Sequence, residues 1–153
     1  MMHSVNPFDW RTVLLAKHAQ HVVLIHFQIA LYLVAVGADL FARVTKRSGL
    51  ADFSYWNLTL AAIFTLPVVA TGLFAWQWQL EGQKLKSLLL YHLVLALTTT
   101  VFIWLTWWLY FRARRKGTRA LPAWGLPFEI VGAVLIILTA HLGGFLSGVN
   151  GTP

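Results

Sequence analysis

Histidine is the residue type with the most chemistry to offer in this chain. Three of the six, His26, His92 and His141, fall inside long apolar stretches. Neutral imidazole is a common metal ligand and the usual axial ligand of a b-type haem. An ionisable side chain inside hydrocarbon is costly, so such residues generally face a bundle interior and mark a site or a path. The chain has no cysteine. Disulfides, thiolate metal centres, cysteine-held iron–sulfur clusters and covalent c-type haem are therefore excluded.

The elements that must carry these histidines are four apolar runs, at about 22–44, 56–78, 88–111 and 127–146. Each is long enough to cross a bilayer core of about 30 Å as a helix of about 20 residues. Helix is the form in which a lipid-exposed backbone satisfies its own polar groups. The composition agrees: 58% of the 153 residues are hydrophobic and 11% charged, well short of the roughly one quarter charged in soluble domains. The net charge of +7 lies in short clusters between the apolar runs. That is the pattern of membrane loops rather than of a nucleic-acid surface. The expected fold is an all-α membrane protein, a single four-transmembrane-helix up-down bundle. Pro127 suits a helix start and Pro67 should kink the second span. No internal repeat is evident. Residues 1–20 are polar and His-rich, without a signal-peptide pattern, so the first run is expected to stay as an anchor.

Lys and Arg set the expected orientation. Arg43, Lys46 and Arg47 follow the first span, and Arg112, Arg114, Arg115, Lys116 and Arg119 follow the third. Arg11 and Lys17, with Lys84 and Lys86, are the smaller set at the other side. The larger set belongs in the cytoplasm. Both termini then face the periplasm of a bacterial inner membrane. Trp10, Trp76 and Trp78 would mark the outer interface, and Trp56, Trp107, Trp108 and Trp124 the inner one. Asp39 and Arg43 read as an i,i+4 pair, and Glu129 as a structural carboxylate at a helix start.

Depth then brings the histidines together. His26 and His92 each lie four residues into a span, about 6 Å deep, and His141 lies five residues, about 7.5 Å, from the end of the fourth. Given the up-down topology, all three share one level near the outer face, with His18 and His21 just above and His3 apart. Helices one and three are diagonal, so His26 and His92 can clamp a haem from opposite sides. His141, on a helix adjacent to both, is a ligand instead of one of them or a hydrogen-bond partner. His21 is an alternative ligand, about 140° around the helix from His26, so the two cannot serve the same metal. Gly72, Gly143 and Gly144 would admit a flat ring close to the backbone. Gly144 and Gly148 also have the spacing of a small-residue helix contact. Arg11, Lys17, Lys84 and Lys86 are available for propionates.

The stretch His21-Val22-Val23-Leu24-Ile25-His26-Phe27-Gln28-Ile29-Ala30-Leu31 resembles the H-P-x-x-V-H-F-P-I-A-L signature of a bacterial membrane family, domain of unknown function 2231. Thr71-Gly72, His92 and Ala140-His141-Leu142-Gly143-Gly144 resemble its further motifs. The chain departs from the pattern at Val22 and Gln28, where proline is common, and at Asn150, where a histidine commonly follows the glycines. Members occur beside or fused to c-type cytochromes, so the resemblance implies electron transfer.

The first functional reading is a non-catalytic haem b subunit of a larger membrane redox complex. It would pass electrons between the quinone pool and a c-type cytochrome or periplasmic dehydrogenase. Gln28 and Gln77 are candidate polar groups for a quinone slot. The second is a cofactor-free accessory or anchoring subunit with histidines bonded between helices. The third is a three-histidine zinc or copper site.

Overall fold

The computed structural model describes residues 17–79, 87–117 and 121–147. They form four helices: α1 (Lys17–Thr45), α2 (Ser48–Gln79), α3 (Ser87–Arg115) and α4 (Gly125–Leu146). No strand is present among the described residues. All four are long and apolar enough to cross a membrane. The shortest, α4, has 22 residues and extends about 33 Å. The expected spans lie inside these helices, which continue beyond them. The clearest extension is α2, which begins at Ser48 rather than near 56. Its first turns carry polar side chains that are satisfied within the protein. Ser54 donates to the Ala35 carbonyl at 2.9 Å, and Asp52 pairs with Arg114. The connection from α1 is consequently only residues 46–47, turned by Lys46 at φ 56°. α2 runs on as helix through Pro67.

The helices alternate up and down, with α1 packed most extensively on α2 and α3 on α4. Thinner contacts join α2 to α3 and α1 to α4, so α1 and α3 stand on one diagonal and α2 and α4 on the other. Small residues bring α1 and α2 together: Ala35, Ala38 and Ala42 against Ala51, Ser54, Ala61 and Ala62, all buried. Close backbone approach through small side chains is the usual substitute for a hydrophobic driving force in lipid. α4 seats two tyrosines on glycines. A Cβ on Gly132 would collide with the Tyr32 hydroxyl, and one on Gly125 with the Tyr110 hydroxyl. Large apolar side chains such as Val23, Phe41, Leu66, Val101 and Ile137 point outward, as lipid requires.

The buried positions disclose a repeat that residue identities conceal. On α1 they include Gln28, Tyr32, Ala35 and Asp39, and on α3 Thr99, Ile103, Thr106 and Tyr110, each pair a constant 71 positions apart. With the same offset, Ser54, Leu58, Ala61, Thr65 and Val68 of α2 match Gly125, Glu129, Gly132, Ile136 and Thr139 of α4. The two hairpins therefore present equivalent positions to the interior. No repeat was evident in the sequence because none of these positions keeps the same residue type.

Candidate cofactor site

At the end away from the Arg43 and Arg114 clusters, the two hairpins enclose a cavity of about 650 Å³. Its size falls within the range of ligand pockets, about 300–1,000 Å³. Its walls are mainly apolar, from Ile25, Ile29, Val68, Val69, Leu93, Ala96 and Ile136. Polar groups are few: His21, His26, His92, Gln28, the threonines Thr99, Thr100 and Thr139, Ser147 and the Trp76 indole.

Two of these histidines are held in the same way. His21 on α1 is half-buried, and its Nδ1 lies 3.1 Å from the Thr71 hydroxyl on α2. That hydroxyl gives its one proton to the Pro67 carbonyl at 2.7 Å. In that arrangement it accepts from His21, with the imidazole proton on Nδ1 and the lone pair on Nε2. His92 on α3 is also half-buried, and its Nδ1 donates to the Thr139 carbonyl on α4 at 3.1 Å. A carbonyl only accepts, so here too Nε2 carries the lone pair. Each ring lies against a glycine of the neighbouring helix. A Cβ on Gly72 would stand 3.0 Å from His21 Cε1, and one on Gly143 would stand 3.2 Å from His92 Cε1. His21 and His92 are related by the 71-position offset, as are Gly72 and Gly143. The cavity is thus flanked by two equivalent histidine–glycine units on diagonal sides of the bundle.

The other sequence candidates fall differently. His26 lines the cavity at its exposed rim, with Nδ1 bonded to the Val22 carbonyl of its own helix at 2.5 Å. Its equivalent in the second hairpin is Leu97, so no matching imidazole stands opposite. His141 does not face the cavity. It is exposed, contacts Phe145 edge-on at 5.1 Å, and does not line the cavity. Two residues from both Thr139 and Gly143, it lies about 200° around the helix from the cavity face. Depth counts residues along an axis and carries no azimuth, so it did not tell that His141 is off the cavity face. Gly144 lines the cavity, as does Trp76, which was expected at the lipid interface. Trp107 likewise turns inward, donating to Thr59 at 3.2 Å, while Trp56, Trp108 and Trp124 stay exposed. Gln28 is buried at the cavity wall and Gln77 is exposed. The propionate candidates Arg11, Lys84 and Lys86, the Lys17 and His18 side chains, and His3, Trp10, the Trp78 side chain, Gly148 and Asn150 lie outside the described residues.

The residues present fit a haem. Two imidazoles offer Nε2 lone pairs, glycines clear space beside both, and the lining is apolar. Among the described residues, no three His, Cys, Asp or Glu side chains gather as a metal site. A haem asks the protein for only two axial ligands.

A second polar centre, missed in the sequence, occupies the opposite end of the bundle. Asp39 and Glu129 are both fully buried. Asp39 accepts from Arg43 Nε at 3.0 Å and Nη2 at 3.1 Å, and from the Tyr110 hydroxyl reaching across the diagonal. The expected i,i+4 pair is present, with Asp39 in the core and Arg43 one quarter exposed.

The family model described as predicted membrane protein (DUF2231) matches residues 17–152. No curated protein and no solved structure matches the chain.

Proposed function

The chain belongs to this family of predicted membrane proteins, and we propose that it is an electron-transfer subunit that binds a b-type haem between its two hairpins. The observation carrying this reading is the pair of equivalent units, His21 with Gly72 and His92 with Gly143, facing one apolar cavity. His21 and His92 would be the axial ligands through Nε2. Their Nδ1 hydrogen bonds fix the tautomer, orient each ring and raise its basicity as a ligand. A bound haem supplies reversible one-electron transfer, and the protein tunes it by ligand, burial and hydrogen bonding. Ile25, Val68, Leu93 and Ile136 keep the site low in dielectric.

The positive-inside rule places the Arg-rich end in the cytoplasm. The cavity then lies toward the periplasmic face of a bacterial inner membrane, with both termini on that side. A partner on that face, a c-type cytochrome or a dehydrogenase, would exchange electrons with the quinone pool through this chain as part of a larger complex. Gln28, buried in the cavity wall, is the polar group a quinone headgroup would meet.

The test is a reduced-minus-oxidised spectrum of the detergent-purified chain, with haem quantified per protein. The wild type is expected to show a b-type signal, abolished in both His21→Ala and His92→Ala and retained in His141→Ala. A colourless wild type purified from haem-replete cells would instead identify a cofactor-free accessory subunit. A full signal in both His21→Ala and His92→Ala would overturn the ligand assignment.

A further inference from the structure

We propose that Glu129 is a proton-binding site: it holds a proton as a neutral carboxylic acid and shares it with Asp39 in the Arg-rich half of the bundle. Both side chains are fully buried. Neither Glu129 oxygen has a hydrogen-bond partner among the described residues. Asp39 and Tyr110 lie beside it.

The charge count decides its state. The cation within reach is Arg43, and both its Nε and its Nη2 are committed to Asp39. Nη2 also donates to the Pro122 carbonyl at 2.8 Å. The Tyr110 hydroxyl is likewise given to Asp39. Tyr32, from α1, gives its hydroxyl to the Glu129 backbone carbonyl at 3.3 Å rather than to the carboxyl. From α2, the Ser54 hydroxyl goes to Ala35. An ionised Glu129 would thus be a second carboxylate beside Asp39 with no donor of its own, an uncompensated buried charge. A proton removes that charge and turns one acceptor into a donor. Asp39, with three donors on about four lone-pair sites, still has room to accept.

The internal repeat sharpens the case. The position equivalent to Glu129 in the first hairpin is Leu58, also fully buried. The packing site therefore accommodates an apolar side chain, and an acid there is not required by the fold. Ionisable residues in such places mark proton relays and comparable functions. Arg43, one quarter exposed, joins the pair to the water at this end.

Infrared spectroscopy of the full chain in lipid vesicles tests the assignment without any cofactor. Glu81 and Glu129 are the only glutamates, so carboxyl-¹³C-glutamate labels just two positions. In a labelled Glu81→Gln protein at neutral pH, an isotope-shifted carboxylic-acid carbonyl band is expected, moving again in D₂O. In Glu129→Gln that band should be absent. A labelled Glu81→Gln spectrum holding only ionised-carboxylate bands would overturn the proposal, as would such bands shifting with added Na⁺. Because the decisive spectrum retains Glu129, the test stands even if Glu129→Gln fails to fold.

Discussion

Substituting Gly72 by alanine separates a ligand cradle from ordinary helix packing, because the two predict opposite signs. The new methyl would stand 3.0 Å from His21 Cε1, where carbon atoms settle at about 3.5–4.0 Å. The ring must therefore retreat by a few tenths of an ångström. Its Nδ1 bond to Thr71, 3.1 Å in the native protein, then reaches the limit of a hydrogen bond, which is worth about 1 kcal/mol. With some residual crowding, the loss at the site is about 1.4 kcal/mol, or tenfold in haem dissociation constant. The helix responds the other way, since alanine in a helix interior is favoured over glycine by about 0.8–1.0 kcal/mol. Gly72→Ala is thus expected to bind haem about tenfold more weakly while the stability of its haem-free form changes by only about 0.5 kcal/mol, the two contributions nearly cancelling there. Haemin titration followed by absorbance, paired with thermal unfolding in detergent, reads both quantities. Gly37→Ala, with nothing within 4 Å of the new methyl, is the control. Haem affinity in Gly72→Ala within twofold of that control would refute the cradle.

Gly132→Ala should destabilise the fold by about 1–3 kcal/mol, the usual cost of overpacking, because its methyl would meet the Tyr32 hydroxyl; thermal unfolding against Gly37→Ala measures the difference. Asp39→Ala should cost about 3–5 kcal/mol by stranding Arg43, and Tyr110→Phe about 1.5–3 kcal/mol for a bond to a charged group. Both are measurable by denaturation in mixed micelles, with no change expected at the cavity end. Sidedness can be tested because the chain lacks cysteine. A membrane-impermeant thiol reagent applied to intact cells with a permeabilised outer membrane should label Lys84→Cys and spare Lys46→Cys, and the reverse pattern would invert the orientation.

The bundle was legible because its signal is simple: four apolar runs and few charges. The end of α1 and the start of α2 were less so. Asp52 and Ser54 look like loop residues until Arg114 and the Ala35 carbonyl are seen to satisfy them. At the site, the end of the bundle was readable and direction was not. Of His26, His92 and His141, only His26 and His92 line the cavity, and it is His21, not His26, that is equivalent to His92 in the repeat. His21 looked like an edge residue because α1 was expected to enter the membrane at Val22. One signal could have promoted it: His21-Val22-Val23-Leu24 and His92-Leu93-Val94-Leu95 are near-copies, each with a glycine 51 positions later. The Asp39–Glu129 centre could not be foreseen, since the two carboxyls lie ninety positions apart and meet only when α4 docks on α1.

Although the two imidazoles occupy equivalent places, they are tethered differently, His21 to the hydroxyl of Thr71 and His92 to the main-chain carbonyl of Thr139. A side-chain tether can be removed by a single codon change, whereas a peptide carbonyl persists whatever residue bears it. One half of the molecule is therefore open to evolutionary adjustment of its imidazole's electron richness, and the other half is locked by the polypeptide itself.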